Sequence, residues 1–248
     1  MVKERRNFWL EFDIRNHFKL GPVKYHNVVA SIKGTKYPDE YVIISGHLDS
    51  YDVATGGIDC GTGIGPMMEA ARMIALSGAK PKRTILFVAF AGEEFGLLGA
   101  KSYVKTHAKE LGKIANLFNR DGGPTPPVGI SVPQAMYDDF VEVCKPVKEI
   151  RADYPFEVKV AKPFKRPTQS GGTDASVFAV EGVPTFGFNT QDIKGYNFSY
   201  GEIWHTERDL YTKNIPEYQE HAATVTAVVA LGIANLSKQL SREGMHKK

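Results

Sequence analysis

Hydrophobic and polar positions along the chain follow two periods, and the switches between them mark out its elements. Phe8-Trp9-Leu10-Glu11-Phe12-Asp13-Ile14 alternates with the two-residue period of a half-buried strand. Asn27-Val28-Val29-Ala30-Ser31-Ile32-Lys33 alternates as well, and Gly34-Thr35-Lys36-Tyr37-Pro38-Asp39 supplies turn chemistry. Tyr41-Val42-Ile43-Ile44-Ser45 then reads as a strand, the hairpin neighbour of the one before it. From Gly63 to about Leu76, Ile64, Met67, Met68, Ala71, Ile74 and Ala75 recur at helical spacing, with Gly78 placed for a C-terminal cap. Thr84-Ile85-Leu86-Phe87-Val88-Ala89-Phe90-Ala91 is almost wholly apolar, as suits a strand buried on both faces.

The later patterns predict a helix from Gly96 to about Thr106, a short strand at Ile114–Asn119 and a helix over Gln134–Val147. A weak strand at Glu157–Val160, a helix at Ser176–Val180 and a strand at Pro184–Phe188 follow. A long helix with proline at its start closes the chain, from Ile215 to about Leu240. Strands alternating with helices predict an α/β chain, its central, largely parallel sheet sandwiched by helices. Pro163 to Asp174 and Thr190 to Asp209 are long loops, and long loops in compact domains often carry function.

Composition narrows the classes. The 248 residues suit one α/β domain, and a net charge of +3 without a basic block gives no footprint for nucleic acid. Apolar stretches are strand-sized or interrupted, so none reads as a membrane span. Cys60 and Cys144 could form at most one bond, which excludes a disulfide scaffold. Met1 to Arg6 is charged, yet no apolar segment of a secretory signal follows. The chain starts almost directly in a strand, as a cytosolic or a trimmed protein would.

The chemistry lies where strands end and helices begin, the usual ligand position in open α/β sheets. His47-Leu48-Asp49 follows the Tyr41–Ser45 strand, and a spacing of two puts both side chains on one face. The carboxylate could then orient the imidazole toward a metal, although a surface turn fits the same residues. Asp59, among the glycines of Gly56-Gly57-Ile58-Asp59-Cys60-Gly61, could cap the next helix or approach a ligand. Glu93-Glu94 ends the apolar strand; two adjacent carboxylates there need compensation, which a cation supplies and a solvated turn avoids needing. Asp121 in Arg120-Asp121-Gly122-Gly123 suits a turn, and His205 beside Trp204 could simply be packed.

Taken together, these residues supply the nitrogen and oxygen ligands of a two-metal hydrolytic centre favouring zinc. His47, Asp59 and Asp121 would hold one ion, and Asp59, Glu94 and His205 the other. Glu93 is left as general base, and Asp49 supports the ligands from behind.

Ser45-Gly46-His47-Leu48-Asp49-Ser50, Gly57-Ile58-Asp59, Phe90-Ala91-Gly92-Glu93-Glu94-Phe95-Gly96, Asp121-Gly122, Gly172-Thr173-Asp174 and Trp204-His205-Thr206 occur in the order of the M28 family of zinc peptidases. The chain resembles that family from about Asn27 to Leu236, and its plasma glutamate carboxypeptidase branch most. The resemblance implies a three-layer α/β/α sandwich around a central mixed, largely parallel sheet, with 1–26 an N-terminal strand and connecting segment and 27–248 one catalytic domain. It implies two zinc ions per chain, bridged by Asp59, with Glu93 as base and Glu94 as a ligand. Cys60 departs from the family pattern, which has Asp or Asn after the bridging aspartate.

The expected activity is an exopeptidase cleaving short peptides or dipeptides. Tyr200, five residues before His205, is a candidate hydroxyl donor to the oxyanion, packing being its other role. Asp174 is read as structural, capping the helix after it or steadying the late loop. Lys165, Arg166 and Arg208 lie in loops suited to reading a substrate carboxylate, with nothing tying them to the site. Aminopeptidase, carboxypeptidase and dipeptidase therefore stay open. So do a glutaminyl cyclase-like enzyme with one zinc and a non-catalytic binding module of the same fold. The expected partner is a peptide, with neither nucleic acid nor membrane; the oligomeric state is open, a homodimer included. The family points to a secreted or periplasmic protein whose signal and upstream domain are not in this chain, with a cytoplasmic one open.

Overall fold

A computed structural model describes residues 9–15, 17 and 21–247. Four strands form the main sheet: β1 (Val28–Ile32), β2 (Tyr37–His47), β3 (Arg83–Phe90) and β4 (Ile114–Asn119), in the order β1-β3-β2-β4. β2 runs parallel to β3 and β4, and β1 antiparallel to β3. Three further strands, β5 (Pro127–Val132), β6 (Glu157–Val160) and β7 (Phe188–Thr190), form a second mixed sheet in the order β6-β5-β7. The helices are α1 (Gly61–Leu76), α2 (Leu98–Thr106), α3 (Tyr137–Ile150), α4 (Ala175–Val180) and α5 (Pro216–Ala234).

The alternation of β2 sorts the layers. Val42 and Ile44 point into one apolar cluster with Met67 and Ile74 of α1 and Val225 and Val229 of α5. Ile43 points the other way, into a cluster with Ala100 and Val104 of α2 and Val177 and Phe178 of α4. The sheet is thus covered on both faces, which explains why β2 and β3 read as continuous apolar runs. No helix among the described residues is long and apolar enough to cross a membrane.

The α/β class and the mixed sheet agree with the sequence pattern, and several details differ. β1 is not the hairpin neighbour of β2: β3 lies between them, and the link crosses its start through Thr35 and Lys36 N–H bonds to Pro81 and Lys82 carbonyls. β3 is the most apolar strand on both faces and takes an interior place, leaving the half-exposed β1 at the edge. Trp9 to Ile14 forms no strand, and the side chains of Trp9, Leu10, Phe12 and Ile14 are exposed; Phe8 lies outside the described residues.

The expected strand at Pro184–Phe188 is displaced to β7. Its first part still lines β4, where Leu117 N–H donates to the Pro184 carbonyl and Asn116 brackets the Phe186 backbone. β5 carries no alternating signal in its sequence; its proline is tolerated because it opens the strand. The closing helix stops at Ala234, short of Leu240, and the Asn235 side chain just beyond accepts from the Lys82 N–H.

Candidate metal centre

Register brings the site together. His47 at the end of β2 pairs with Phe90 at the end of β3, and Ser45 with Asn119 at the end of β4. The C-terminal ends of three parallel strands are therefore level, and the residues after them, Glu93, Glu94 and Asp121, fall around His47.

His47 is 1% exposed, with Nδ1 2.9 Å from the Asp49 carbonyl oxygen and Nε2 2.9 Å from Asp59 Oδ1 and 3.4 Å from Asp121 Oδ1. The expected pairing of the Asp49 carboxylate with the ring is not made; its nearer oxygen is 3.9 Å away. That carboxylate instead accepts the backbone N–H groups of Glu93 and Glu94, each at 3.1 Å, and so anchors the turn carrying both glutamates. Burial disfavours charge on the His47 ring, but Asp121 and Asp59 outweigh it and raise its pKa.

Asp59 does not cap α1, whose N-cap residue, Cys60, makes no side-chain capping bond. The loop before it packs so closely that a Cβ on Gly57 would lie 2.2 Å from the Leu210 backbone. Asp209, wholly buried, accepts the Ile58 N–H at 2.6 Å and the Asp59 N–H at 3.1 Å. The two oxygens of Asp59 face different imidazoles: Oδ1 toward His47 Nε2 at 2.9 Å, Oδ2 toward His205 Nε2 at 3.9 Å.

His205 Nε2 lies 2.9 Å from Glu94 Oε2, while Glu94 Oε1 is buried with no hydrogen-bond partner. His205 has a positive φ of 58° and stacks on Tyr51 with ring centroids 4.1 Å apart. Burial, and then the charge of Asp121, push the Glu93 carboxyl up to about 8; a cation at the site acts in the opposite sense. Glu93, Glu94, Asp59, Asp121 and His205 line one cavity of about 310 Å³ with Lys101 of α2.

Tyr200 lies beside the Asp59 carboxylate and opens on an adjoining cavity that shares Asp121. Burial, then Asp59, raise its pKa and keep the hydroxyl a donor. Cys60 is buried with Sγ 3.0 Å from the Arg120 carbonyl, in reach of His47 and Asp121; it and Cys144 are free thiols. Asp174 makes no capping bond to α4, and both its oxygens are buried without a partner. Burial pushes it up to about 7, which favours the neutral carboxyl. Arg166 is committed to the Val180 carbonyl, and neither it, Lys165 nor Arg208 lines the cavity.

Sequence reasoning missed Asp209 and Lys101. Asp209 ends the long late loop just before Leu210 and gives no local signal, because its partners are some 150 positions away. Lys101 had a usable signal: it lies four residues after Leu97, on the face of the helix that follows the Glu93-Glu94 turn.

The donor set suits a borderline cation: imidazole nitrogens and carboxylate oxygens, one of the latter buried and unpartnered. Such groups at the C-terminal ends of parallel strands lie where open α/β sheets place their ligands, and they make a candidate metal site in an α/β protein. Residues 27–229 match the model of peptidase family M28, and the chain belongs to that family. It is 32% identical over 231 residues to carboxypeptidase Q of Rattus norvegicus, covering 91% of this chain and 46% of that relative. The crystal structure of a peptidase M28 precursor from Shewanella amazonensis superposes with a TM-score of 0.71 at 32% identity, over 87% of this chain and 46% of the other. BSAP, a zinc aminopeptidase from Bacillus subtilis, shares the fold with a TM-score of 0.64 at 21% identity, over 89% of this chain and 53% of that one. The chain thus spans about half the length of these proteins.

Proposed function

We propose that this chain is the catalytic part of a two-zinc exopeptidase that hydrolyses short peptides. The observation that carries the reading is the division of Asp59: one oxygen turned to His47 and the other to His205, as a carboxylate bridging two ions requires. His47 and Asp121 would complete one ion's ligands, Glu94 and His205 the other's. Zinc bound there would supply Lewis-acid polarisation of a carbonyl and acidification of water.

The protein's own groups do the rest. Glu93 takes the proton of the attacking water and returns it to the leaving amine. Its place in the same cavity as Asp59, Glu94 and Asp121 supports that role. Asp49 holds the Glu93 and Glu94 backbone through its two bonds, so the base keeps its distance from the ligands. Tyr200, whose hydroxyl lies beside Asp59, would donate to the developing oxyanion.

Two measurements test this. Metal analysis should count two zinc ions per chain, and Glu93→Gln should lower dipeptide hydrolysis by about 10²- to 10⁴-fold while keeping both. A full rate in that variant removes Glu93 as base. One zinc with cyclisation of amino-terminal glutamine would make the chain a cyclase instead.

A further inference from the structure

The thiol of Cys60 has no part in the reading above, yet it stands among the proposed ligands, joined directly to Asp59. Cys60 is 2% exposed, and its sulfur and the donor atoms of His47 and Asp121 lie within 4.8 Å of one another. The His47–Asp121 pair, 3.4 Å apart, already has the spacing of donors around a tetrahedral zinc with bonds of about 2.0–2.3 Å. The sulfur is also held in place. A Cβ on Gly46 would lie 3.2 Å from Sγ and one on Gly63 2.5 Å from it, so two glycines leave a cradle that the sulfur fills. Cys144, the other free thiol, lies in the apolar cluster of Val42 and Val225 and belongs to no group of metal donors among the described residues.

We propose that Cys60 is a further metal ligand: its sulfur binds the ion that His47 and Asp121 hold, which makes that position a nitrogen, sulfur and oxygen site. The inference rests on the two-zinc reading and adds a ligand to it. As the metal–sulfur bond forms, the S–H proton leaves to solvent, and the Arg120 carbonyl, 3.0 Å away, gives up that donor. With Asp59, four protein groups then close this position, while Asp59, Glu94 and His205 leave the other with an opening. Burial divides the two in the same sense. His47 and Cys60 are buried and do not line the 310 Å³ cavity, whereas His205, its side chain 30% exposed, lines it with Glu93 and Glu94. The closed position should therefore hold its ion more tightly and favour softer metals; the open one exchanges its ion and meets the substrate.

Cobalt(II) tests the bond directly, because a thiolate ligand gives it a near-ultraviolet charge-transfer band that nitrogen and oxygen donors do not. Titration of the full chain after chelation should raise this band with the first equivalent of cobalt and not with the second. Cys144→Ala should keep the band. Cys60→Ser and Cys60→Ala should lack it while still binding cobalt, seen in its visible absorption. By calorimetry, Cys60→Ser should weaken the tighter of the two zinc sites by at least about tenfold and leave the other within about threefold. Cadmium, softer than zinc, should lose more affinity than zinc in the same variant. Cobalt binding without the band in the parent protein, or a band that survives Cys60→Ser, overturns the sulfur ligand and leaves the two-zinc reading standing. Should the Cys60 variants fail to fold, the parent and Cys144→Ala decide, because Cys60 is then the only thiol left to give the band. A chain that binds neither cobalt nor zinc overturns the two-zinc reading and this inference with it.

Discussion

Asp209 offers a severe trial of how the metal centre is built. It is wholly buried, and its carboxylate receives two backbone N–H groups, Ile58 at 2.6 Å and Asp59 at 3.1 Å. Asp209→Ala removes both acceptors and leaves two buried donors unpaired, each costing about 1–3 kcal/mol. The sum, roughly 4 kcal/mol, is a large share of the 5–15 kcal/mol that holds a typical domain together. Asp209→Asn keeps one carbonyl oxygen but turns an amide N–H toward the second donor, so about half that loss is expected. The assay is urea unfolding with a chelator present, since bound zinc would stabilise the native state and mask the difference. Calorimetric titration of the folded Asn variant with zinc gives the second readout. A displaced Asp59 should weaken binding by about 10- to 100-fold, as loss of a supporting hydrogen bond does at other metal sites. An Ala variant within about 0.5 kcal/mol of the parent, together with unchanged zinc affinity in the Asn variant, would refute the assignment.

Two further outcomes follow from buried groups elsewhere. His221 is wholly buried on α5, its Nε2 2.9 Å from the Pro127 carbonyl, and burial lowers its pKa to about 4. The unfolded chain binds this proton near pH 6.5 and the native chain only near 4, so the stabilisation is present above 6.5 and is lost as pH falls toward 4. Between pH 7 and 5 the loss is about 2 kcal/mol, and His221→Leu should flatten the pH dependence of unfolding by that amount; an unchanged slope would contradict the buried neutral ring. Gly63→Ala places a Cβ 2.2 Å from the Arg120 carbonyl and 2.5 Å from Cys60 Sγ, whereas a Cβ on Gly65, two residues on, meets nothing within 4 Å. Thermal melts should show a loss of about 2 kcal/mol at Gly63 and none at Gly65, where alanine favours the helix; equal effects would deny the close packing of α1 on the β4 loop.

Much of the chain could be read locally because the signals are local. The apolar runs of β2 and β3, the helical spacing of α1 and the alternation in β1 depend on residues a few positions apart. So does the placement of His47, Glu93-Glu94 and Asp121 just after strands, which made these residues candidates before any contact was known. Where local signals were weak, the reading slipped. Trp9 to Ile14 alternates yet pairs with no described strand, and β5 forms because β6 and β7 flank it, not because its own sequence alternates.

Residue types and order alone therefore settled the α/β class, most of its elements and a set of nitrogen and oxygen donors in a family's order. Tertiary structure decided which strand separates β1 from β2 and which imidazole each oxygen of Asp59 faces. It also showed that Asp49 holds the glutamate backbone, that Asp209 reaches back to Asp59, and that Lys101 shares the cavity of the acidic groups. The physical reason is sequence distance. A carboxylate satisfies a backbone N–H wherever the fold brings the two together, and nothing in the residues nearby records a partner 44 or 150 positions away.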